Sequence, residues 1–260
     1  MITEQRSVDL AERLDQAATT RTTIAPLSKD EAAFDAADAY RVQERLVQRR
    51  VERGARVLGG KLGLTSKAKQ VAMGVHEPLY AWITSDMARI SGGILDLDEL
   101  IHPRVEPEIA FVLGRPLRGA DVGVTEVLAA TDRVCAALDV IDSRYDGFSF
   151  THPDAVADNG SSAAFALGTD LVEPTMDLAL AACNLEVDGV ITDSAAGAAV
   201  MGHPAEAVAF MVRALARIDR GLEAGWVVLS GGLTAPVPMT PGRTVTSTIA
   251  GIGSVTLTAK

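Results

Sequence analysis

The stretch HPRVEPEIAFVLG (His102–Gly114) carries two carboxylates at the start of a strand-like segment. Residues 109–113 are apolar without interruption, which predicts a strand that is buried on both faces. Glu106 and Glu108 point to the same face of this strand, because side chains alternate along it. Pro107 is typical of an edge strand, so an edge strand with one wet face is the alternative explanation. The apolar residues that follow favour burial.

A third acidic residue has similar surroundings. Asp139 stands within AALDVIDS (136–143), where apolar residues flank it on both sides. Buried carboxylates without partners are costly and take up protons. If Asp139 converges with Glu106 and Glu108, a hard divalent cation such as Mg²⁺ or Mn²⁺ relieves their repulsion through oxygen ligands. Convergence cannot be read along one dimension, so the residues alone leave the metal site open.

The composition limits the partners. The chain has 260 residues, of which 48% are hydrophobic and 22% are charged, so it can form a sizeable core. A formal net charge of −10 and an aromatic content of 4% argue against binding nucleic acid or an anionic membrane. No apolar run reaches the roughly 18 residues of a membrane span, and the first residues do not resemble a secretory signal. Cys135 and Cys183 form no CxxC motif, which favours reduced, buried thiols in a cytoplasmic protein.

The pattern of elements predicts an α+β fold. Apolar spacing predicts a helix over residues 7–20. Ser28 and Glu31 fit a capping box that opens a second, long helix ending at Gly54. We therefore expect a small helical N-terminal lobe over residues 1–55 and a catalytic domain over 56–260.

The predicted domain 56–260 is rich in strands. These strands cluster more than they alternate with helices, which favours a mixed sheet. A helix is predicted over residues 125–138, and another begins at Pro204. Asp188-Gly189 marks a hairpin, because both residue types tolerate the positive φ values of a tight turn.

Lys61 is the candidate for proton transfer. It stands in GGKLGLTSKAK (59–69) beside glycines, which allow the backbone to approach a ligand closely. An exposed strand lysine is the alternative. A histidine metal site is not expected, because no HxH or HExxH spacing occurs. His102, His152 and His203 each precede a proline, which favours structural roles.

Two further residues are candidates for binding a substrate. Arg144 could hold a carboxylate through two hydrogen bonds, or it could pair with Asp142 or Asp158, which we favour slightly. Ser161 follows the turn Asn159-Gly160 and could present its hydroxyl to an anion. A turn that only precedes a strand is the alternative for Ser161.

Five blocks in a fixed order give a specific resemblance: GGKLGLTSKAKQVAMGV, HPRVEPEIAFVLG, ALDVIDSRY, DAVADNGSS and GHPAEAVAFMV. Together they resemble the 2-keto-4-pentenoate hydratase / 4-oxalocrotonate decarboxylase family, within the fumarylacetoacetate hydrolase-like superfamily. The resemblance implies a mixed β-roll or barrel-like catalytic core after a small N-terminal lobe. It also implies a homo-oligomer and a Mg²⁺ or Mn²⁺ site.

The resemblance also assigns roles to residues. The metal ligands fall on Glu106, Glu108 and Asp139, and at the last position relatives usually have glutamate. The active-site lysine falls on Lys61, and a substrate-contacting serine falls on Ser161. Relatives often carry an acidic residue in the loop that contains HEPLYA, but no role is transferred to Glu77 there.

HPRVEPEIAF and IDSRYDGFSF look more like the decarboxylase branch of the family. The expected reaction is decarboxylation of 4-oxalocrotonate, an unsaturated 2-oxo diacid, to 2-hydroxypenta-2,4-dienoate in the meta-cleavage of aromatic compounds. A dianionic substrate needs positive charge, for which Lys61 is the first candidate and Arg144 or Arg104 the second. The alternatives are a hydratase that uses the same metal site and a non-catalytic homologue that assists a companion enzyme. A complex with a related hydratase is also expected.

Overall fold

The computed structural model describes residues 1–31, 33–72, 74–75 and 77–260. Within these ranges the helices are α1 (Glu4–Thr20), α2 (Ala36–Glu52), α3 (Lys67–Ala72), α4 (Val124–Ala130), α5 (His152–Ala157) and α6 (Pro204–Ala216). The strands are β1 (Val57–Gly63), β2 (Leu79–Thr84), β3 (Ala88–Ile90), β4 (Gly93–Leu95), β5 (Arg104–Leu113), β6 (Thr131–Ile141), β7 (Ser162–Leu167), β8 (Ala182–Val187), β9 (Val190–Ala196), β10 (Val227–Leu229), β11 (Val237–Pro238), β12 (Thr244–Ile249) and β13 (Gly253–Ala259).

The larger of two sheets has the strand order β2-β1-β10-β5-β6-β7-β3, and β11 pairs with the start of β5. Two of its pairings, β1 with β10 and β3 with β7, are parallel, whereas β5 and β6 form a long antiparallel pair. The predicted α+β fold with a mixed sheet is therefore confirmed.

β5 is a central strand of this sheet, so the edge-strand explanation of Pro107 is wrong. β10 pairs with residues 110–112 and β11 pairs with residues 104–105 of β5. Pro107 falls between these two partners, where the carbonyl of Pro107 accepts a hydrogen bond from the Leu233 N–H at 2.9 Å. Proline has no N–H to donate, and no described strand on this side of β5 pairs with it at residue 107. The proline is therefore tolerated here.

The sheet curls into a barrel-like shape that the loop before β7 helps to close. The side-chain amide of Asn159 accepts a hydrogen bond from the N–H of Trp82 on β2 at 2.9 Å and donates one to the Trp82 carbonyl at 2.8 Å. This amide takes the place of a neighbouring strand for the edge of β2. At one end the inside of the curl is filled by apolar side chains: Ile83, Met87, Ala110, Cys135, Ala137, Phe165 and Leu229.

The smaller sheet has the order β4-β13-β12-β8-β9. Its apolar face shares one core with α6 and the outer face of the larger sheet. Asp188 and Gly189 connect β8 to β9 with φ values of 54° and 78°, so the predicted hairpin is confirmed. The helix predicted from Pro204 is also present, with His203 as its N-cap.

The two N-terminal helices pack with β2 and α5 in a core of their own. The capping box predicted at Ser28 and Glu31 is wrong. Asp35 is the N-cap of α2, and its side chain accepts a hydrogen bond from the Asp38 N–H. Ser28 instead donates its hydroxyl to Asp154 at 2.6 Å, and Glu31 pairs with Arg6. The division into a lobe over residues 1–55 and a domain over 56–260 stays a prediction.

The helix predicted over residues 125–138 is only half correct. α4 ends at Ala130, and β6 begins at the next residue. Residues 134–140 are buried, and β6 lies between β5 and β7. Pairing on both sides satisfies the backbone of β6, so tertiary structure overrides the helical preference of its alanines. In the described part of the chain, no helix combines the length and apolarity needed to cross a bilayer.

Candidate active site

The register of β5 against β6 brings the three predicted carboxylates together. Asp139 lies directly opposite Glu106, and Glu108 follows two residues along on the same face of β5. One oxygen from each of these three side chains lies within 4.8 Å of the others. Three acidic side chains from two neighbouring strands thus form one cluster inside the curl.

The deepest member of the cluster is Glu108. Glu108 is 0% exposed and Asp139 is 1% exposed, whereas Glu106 is partly exposed. Burial raises the pKa of Glu108 well above its usual value, and the neighbouring charges of Asp139 and Glu106 raise it further. The N–H of Gly231 donates to Oε2 of Glu108 at 2.6 Å, but Oε1 has no hydrogen-bond partner among the described residues.

This donor set fits a hard divalent cation. Mg²⁺ and Mn²⁺ prefer carboxylate oxygens, and the cluster offers three of them in a buried position. A cation would also satisfy Oε1 of Glu108, which otherwise carries the cost of a buried unpaired oxygen. The residues that could hold such an ion are therefore Glu106, Glu108 and Asp139.

Lys61 lies beside the cluster. Its Nζ atom is 2.7 Å from Oδ2 of Asp139, and the two side chains are only 2% and 1% exposed. The alternative of an exposed strand lysine is thus wrong. A buried ammonium offsets part of the negative charge of the three carboxylates, and it places an exchangeable proton next to them.

A cavity of about 460 Å³ opens onto Lys61 and Glu106. Most of its wall is apolar. Besides Lys61 and Glu106, the residues that line it are Leu62, Gly63, Leu64, Leu79, Arg104, Ile141, Phe148, Phe150, Ala155, Gly160, Ser161 and Pro236. The guanidinium carbon of Arg104 lies 4.1 Å from the centre of the Phe148 ring, which is a cation–π contact. The cavity therefore combines an acidic centre, two cationic side chains and apolar walls.

The structure does not bring Arg144 to this cavity. Arg144 is 4% exposed, and its Nε atom donates to the carboxylate of Asp158. Its Nη1 atom donates to the carbonyl of Asp142 at 2.7 Å and to that of Ser162 at 3.2 Å. Arg144 therefore pairs with Asp158 instead of facing a substrate in the cavity. The arginine on the cavity wall is Arg104.

Ser161 lines the cavity at the end of an unusual turn. Asn159, Gly160 and Ser161 all have positive φ values, 52°, 59° and 57°. The Ser161 hydroxyl donates to Oδ2 of Asp158 at 3.1 Å. Burial raises the pKa of Asp158, although the charge and hydrogen bonds of Arg144 oppose this shift.

Some residues of the site were missed by sequence reasoning. Gly231 stands in a Gly- and Pro-rich segment that matches no phosphate-binding motif, yet it supplies the backbone N–H to Glu108. Its φ is +107°, and a Cβ there would lie 2.2 Å from Oγ1 of Thr65, so only glycine fits. The pair Gly231-Gly232 was the only local sequence signal for this role. Glu77, to which no role was transferred, lies at a separate cavity beside Tyr80.

Fold and site together define a class of protein: a curled mixed β-sheet that carries a carboxylate cluster suited to a divalent metal. Residues 76–259 match the family model described as fumarylacetoacetate (FAA) hydrolase C-terminal, and the chain belongs to this family.

Several relatives are similar over nearly their whole length. The 4-oxalocrotonate decarboxylase of Pseudomonas sp. strain CF600 is 39% identical over 255 residues, which cover 98% of this chain and 97% of that protein. The 2-keto-4-pentenoate hydratase of Paraburkholderia xenovorans strain LB400 is 38% identical over 255 residues, with coverages of 98% and 95%. The structure of 4-oxalocrotonate decarboxylase from Pseudomonas putida G7, complexed with magnesium and adipate, matches with a TM-score of 0.97 at 36% identity and covers 100% of this chain and 99% of that chain.

Proposed function

We propose that this protein is a metal-dependent decarboxylase. Its substrate would be 4-oxalocrotonate (2-oxo-3-hexenedioate), and its products CO₂ and 2-hydroxypenta-2,4-dienoate, in the meta-cleavage of aromatic compounds. The observation that carries the proposal is the buried cluster of Glu106, Glu108 and Asp139, with Lys61 beside it, at a cavity of about 460 Å³. The similarity to a decarboxylase that binds magnesium and the six-carbon diacid adipate supports it.

The three carboxylates would hold Mg²⁺ or Mn²⁺. A bound divalent ion supplies fixed positive charge that orients a 2-oxo acid and stabilises the negative charge that develops as CO₂ leaves. Glu108 is anchored for this role by the N–H of Gly231. Asp139 is anchored by Lys61, so that neither buried carboxylate is free to turn away from the cluster.

Lys61 would hold a proton at Nζ close to the 2-oxo end of the substrate. When the bond to the departing carboxylate breaks, its electron pair moves through the conjugated chain to the 2-oxo oxygen, which then takes up a proton. A buried ammonium beside the cavity stabilises this charge and can supply the proton. Ser161 would contact the same end of the substrate through its hydroxyl.

Arg104 would offset the second charge of the dianion. It lines the same cavity as Lys61, and its place over the Phe148 ring keeps the guanidinium against the wall. The apolar walls, including Phe150 and Ile141, would exclude water from the conjugated chain. A pocket with cations at its wall and apolar sides suits an unsaturated diacid better than a neutral ligand.

A hydratase acting on 2-hydroxypenta-2,4-dienoate is the second candidate, because a hydratase relative is 38% identical, almost as similar as the decarboxylase relative. The decisive experiment supplies the Mg²⁺-loaded protein with each compound in turn and measures CO₂ release together with the change in ultraviolet absorbance. We expect CO₂ from 4-oxalocrotonate. Hydration of the dienoate without CO₂ release from the diacid would favour the hydratase instead. Full occupancy by metal with no turnover of any oxo acid would favour a non-catalytic partner.

The assembly and location are also proposals. A homo-oligomer is proposed from the family resemblance alone. Light scattering on the purified protein would measure the subunit count. A complex with a related hydratase and a cytoplasmic location stay predictions, and co-purification and cell fractionation would test them.

A further inference from the structure

The turn Asn159-Gly160-Ser161 needs an explanation, because it is left-handed at three consecutive residues. L-amino acids normally adopt this conformation singly, so the surrounding contacts must hold the turn in place. We propose that the buried Asp158–Arg144 pair is a positioning device that fixes this turn and, through it, the side chains of Ser161 and Lys61 in the cavity. The role assigned to the cavity rests on the proposed function.

Asp158 is the centre of the device. It is 0% exposed, and its carboxylate accepts hydrogen bonds from Nε of Arg144, from the Arg144 N–H at 3.2 Å and from the Ser161 hydroxyl at 3.1 Å. Its backbone carbonyl accepts from Nη2 of Arg144 and from the Ser161 N–H at 3.0 Å. One residue therefore ties the segment just after β6 to both hydrogen-bond donors of Ser161, its N–H and its hydroxyl.

Arg144 fixes Asp158 in turn. Two nitrogens of the Arg144 guanidinium, Nε and Nη2, bind Asp158. Its third nitrogen, Nη1, binds the carbonyl of Asp142, just after β6, and the carbonyl of Ser162, just after the turn. A planar guanidinium holds such a set of acceptors in one geometry, which the point charge of a lysine cannot do. The guanidinium is thus fully engaged in holding the turn.

The turn lies directly against the stem of Lys61. A Cβ added to Gly160 would be 3.1 Å from Cε of Lys61 and 3.2 Å from Cβ of Ala81, so the turn passes close to both residues and leaves no room for a side chain between them. The Asn159 amide holds the same turn to the backbone of Trp82. A shift of the turn would therefore move the Lys61 ammonium relative to the carboxylate cluster.

The same contacts orient the Ser161 hydroxyl. An ionised carboxylate only accepts hydrogen bonds, so the Ser161 proton points to Asp158. The lone pairs of the Ser161 oxygen remain available to a donor in the cavity, such as the hydroxyl of a 2-hydroxydienoate. The pair therefore sets both the place and the hydrogen-bonding direction of Ser161.

The test compares Asp158→Asn with a matched variant, Asp15→Asn. Asp15 is another Asp with low exposure that accepts hydrogen bonds from arginines, here Arg49 and Arg53, but it does not line the cavity. Both variants should unfold at lower temperature. Only Asp158→Asn should weaken the binding of adipate to the Mg²⁺-loaded protein and lower kcat, each by about tenfold or more, while Mg²⁺ affinity measured by calorimetry stays at the wild-type value.

Wild-type adipate binding and kcat in Asp158→Asn would overturn the proposal, as would equal losses in Asp15→Asn. If Asp158→Asn does not fold, Arg144→Lys is used in its place, and the same outcomes decide. This variant keeps the positive charge at residue 144 but loses the planar guanidinium that binds several acceptors at once. Adipate binding needs no turnover, so it tests the positioning role even if 4-oxalocrotonate is not the substrate. A wild-type protein that binds adipate without releasing CO₂ counts against the proposed function alone, and one that binds neither compound overturns both.

Discussion

The ammonium of Lys61 on β1 lies 2.7 Å from the carboxylate of Asp139 on β6, although two other strands, β10 and β5, stand between β1 and β6 in the sheet. Strands in a flat sheet are about 4.8 Å apart, so three steps would separate the two backbones by about 14 Å. The long lysine side chain spans part of this distance, and the curl of the sheet supplies the rest. The ion pair therefore depends on the barrel-like shape, and anything that flattens the sheet should break it.

Replacing Lys61 with alanine should lower kcat by about 10²–10⁴-fold, because the reaction loses a positioned cation and proton donor. Mg²⁺ binding should persist, since the three carboxylates remain and lose only a competing positive charge. Steady-state kinetics and calorimetric titration of Mg²⁺ measure the two effects separately. Unchanged turnover in this variant would remove Lys61 from the mechanism.

Removal of the metal should abolish activity. We expect EDTA to stop turnover and Mg²⁺ or Mn²⁺ to restore it, because the cluster places three carboxylates within 4.8 Å of one another. Mg²⁺ should also raise the melting temperature of the metal-free protein, since a ligand that binds only the folded state stabilises it. Glu108→Gln is the matched variant, and its melting temperature should respond much less to Mg²⁺. Activity that is indifferent to the chelator would contradict the site.

Much of the site could be read from the sequence, because it lies on strands with clear patterns. Alternation along β5 put Glu106 and Glu108 on one face, and the apolar surroundings of Asp139 predicted its burial. The pairing of Asp139 with Glu106 could not be read, because register depends on how β5 and β6 meet in three dimensions. The start of β6 was misread for the same reason, since its alanines favour a helix until a partner strand is present.

The partners of individual polar groups were equally hidden. Arg144 could pair with a substrate or with a neighbouring aspartate, and only the fold decides that Asp158 holds it. Gly231 contributes a backbone N–H, which any residue type has, so its role leaves no chemical signature. Local sequence patterns therefore predict well which side chains are buried. They predict poorly which polar groups form hydrogen bonds or ion pairs with one another.

Asp15 should make the stability of the protein depend on acid pH. Burial tends to raise its pKa, but hydrogen bonds from Arg53 and Arg49, together with their charges, outweigh this and leave the pKa below its usual value. A lowered pKa in the folded state stabilises the protein above the unfolded value of about 3.9, and this contribution is lost as the pH falls through the lower folded value.

Asp15→Asn should accordingly be less stable than the wild type at pH 7. We expect a loss of about 1 kcal/mol in the free energy of unfolding, because Arg53 is 53% exposed and water screens the pair. Urea unfolding at pH 7 and at about pH 3 measures the difference, which should shrink at the lower pH as the wild-type carboxyl takes up its proton. An equal difference at both values would show that the charge of Asp15 contributes nothing.

Gly160→Ala should impair the reaction beyond its cost in stability. Gly160 has a φ of +59°, and a new Cβ would press on Cε of Lys61 and on Leu79, each at 3.1 Å. Gly189 is the matched control, because its φ is +78° and nothing lies within 4 Å of a Cβ placed there. Each alanine variant should lose about 1–2 kcal/mol of stability from its left-handed backbone.

Only Gly160→Ala should also lower kcat, by up to about 10²-fold, because a small displacement of a reacting group can cost that much. Thermal unfolding and steady-state kinetics of the two variants, both loaded with Mg²⁺, separate the shared backbone cost from the effect on Lys61. If Gly160→Ala keeps wild-type kcat, the Lys61 ammonium tolerates movement of its stem, and the close packing of the turn against it has no part in turnover. If Gly189→Ala loses as much activity, the loss reflects general destabilisation and not the position of Lys61.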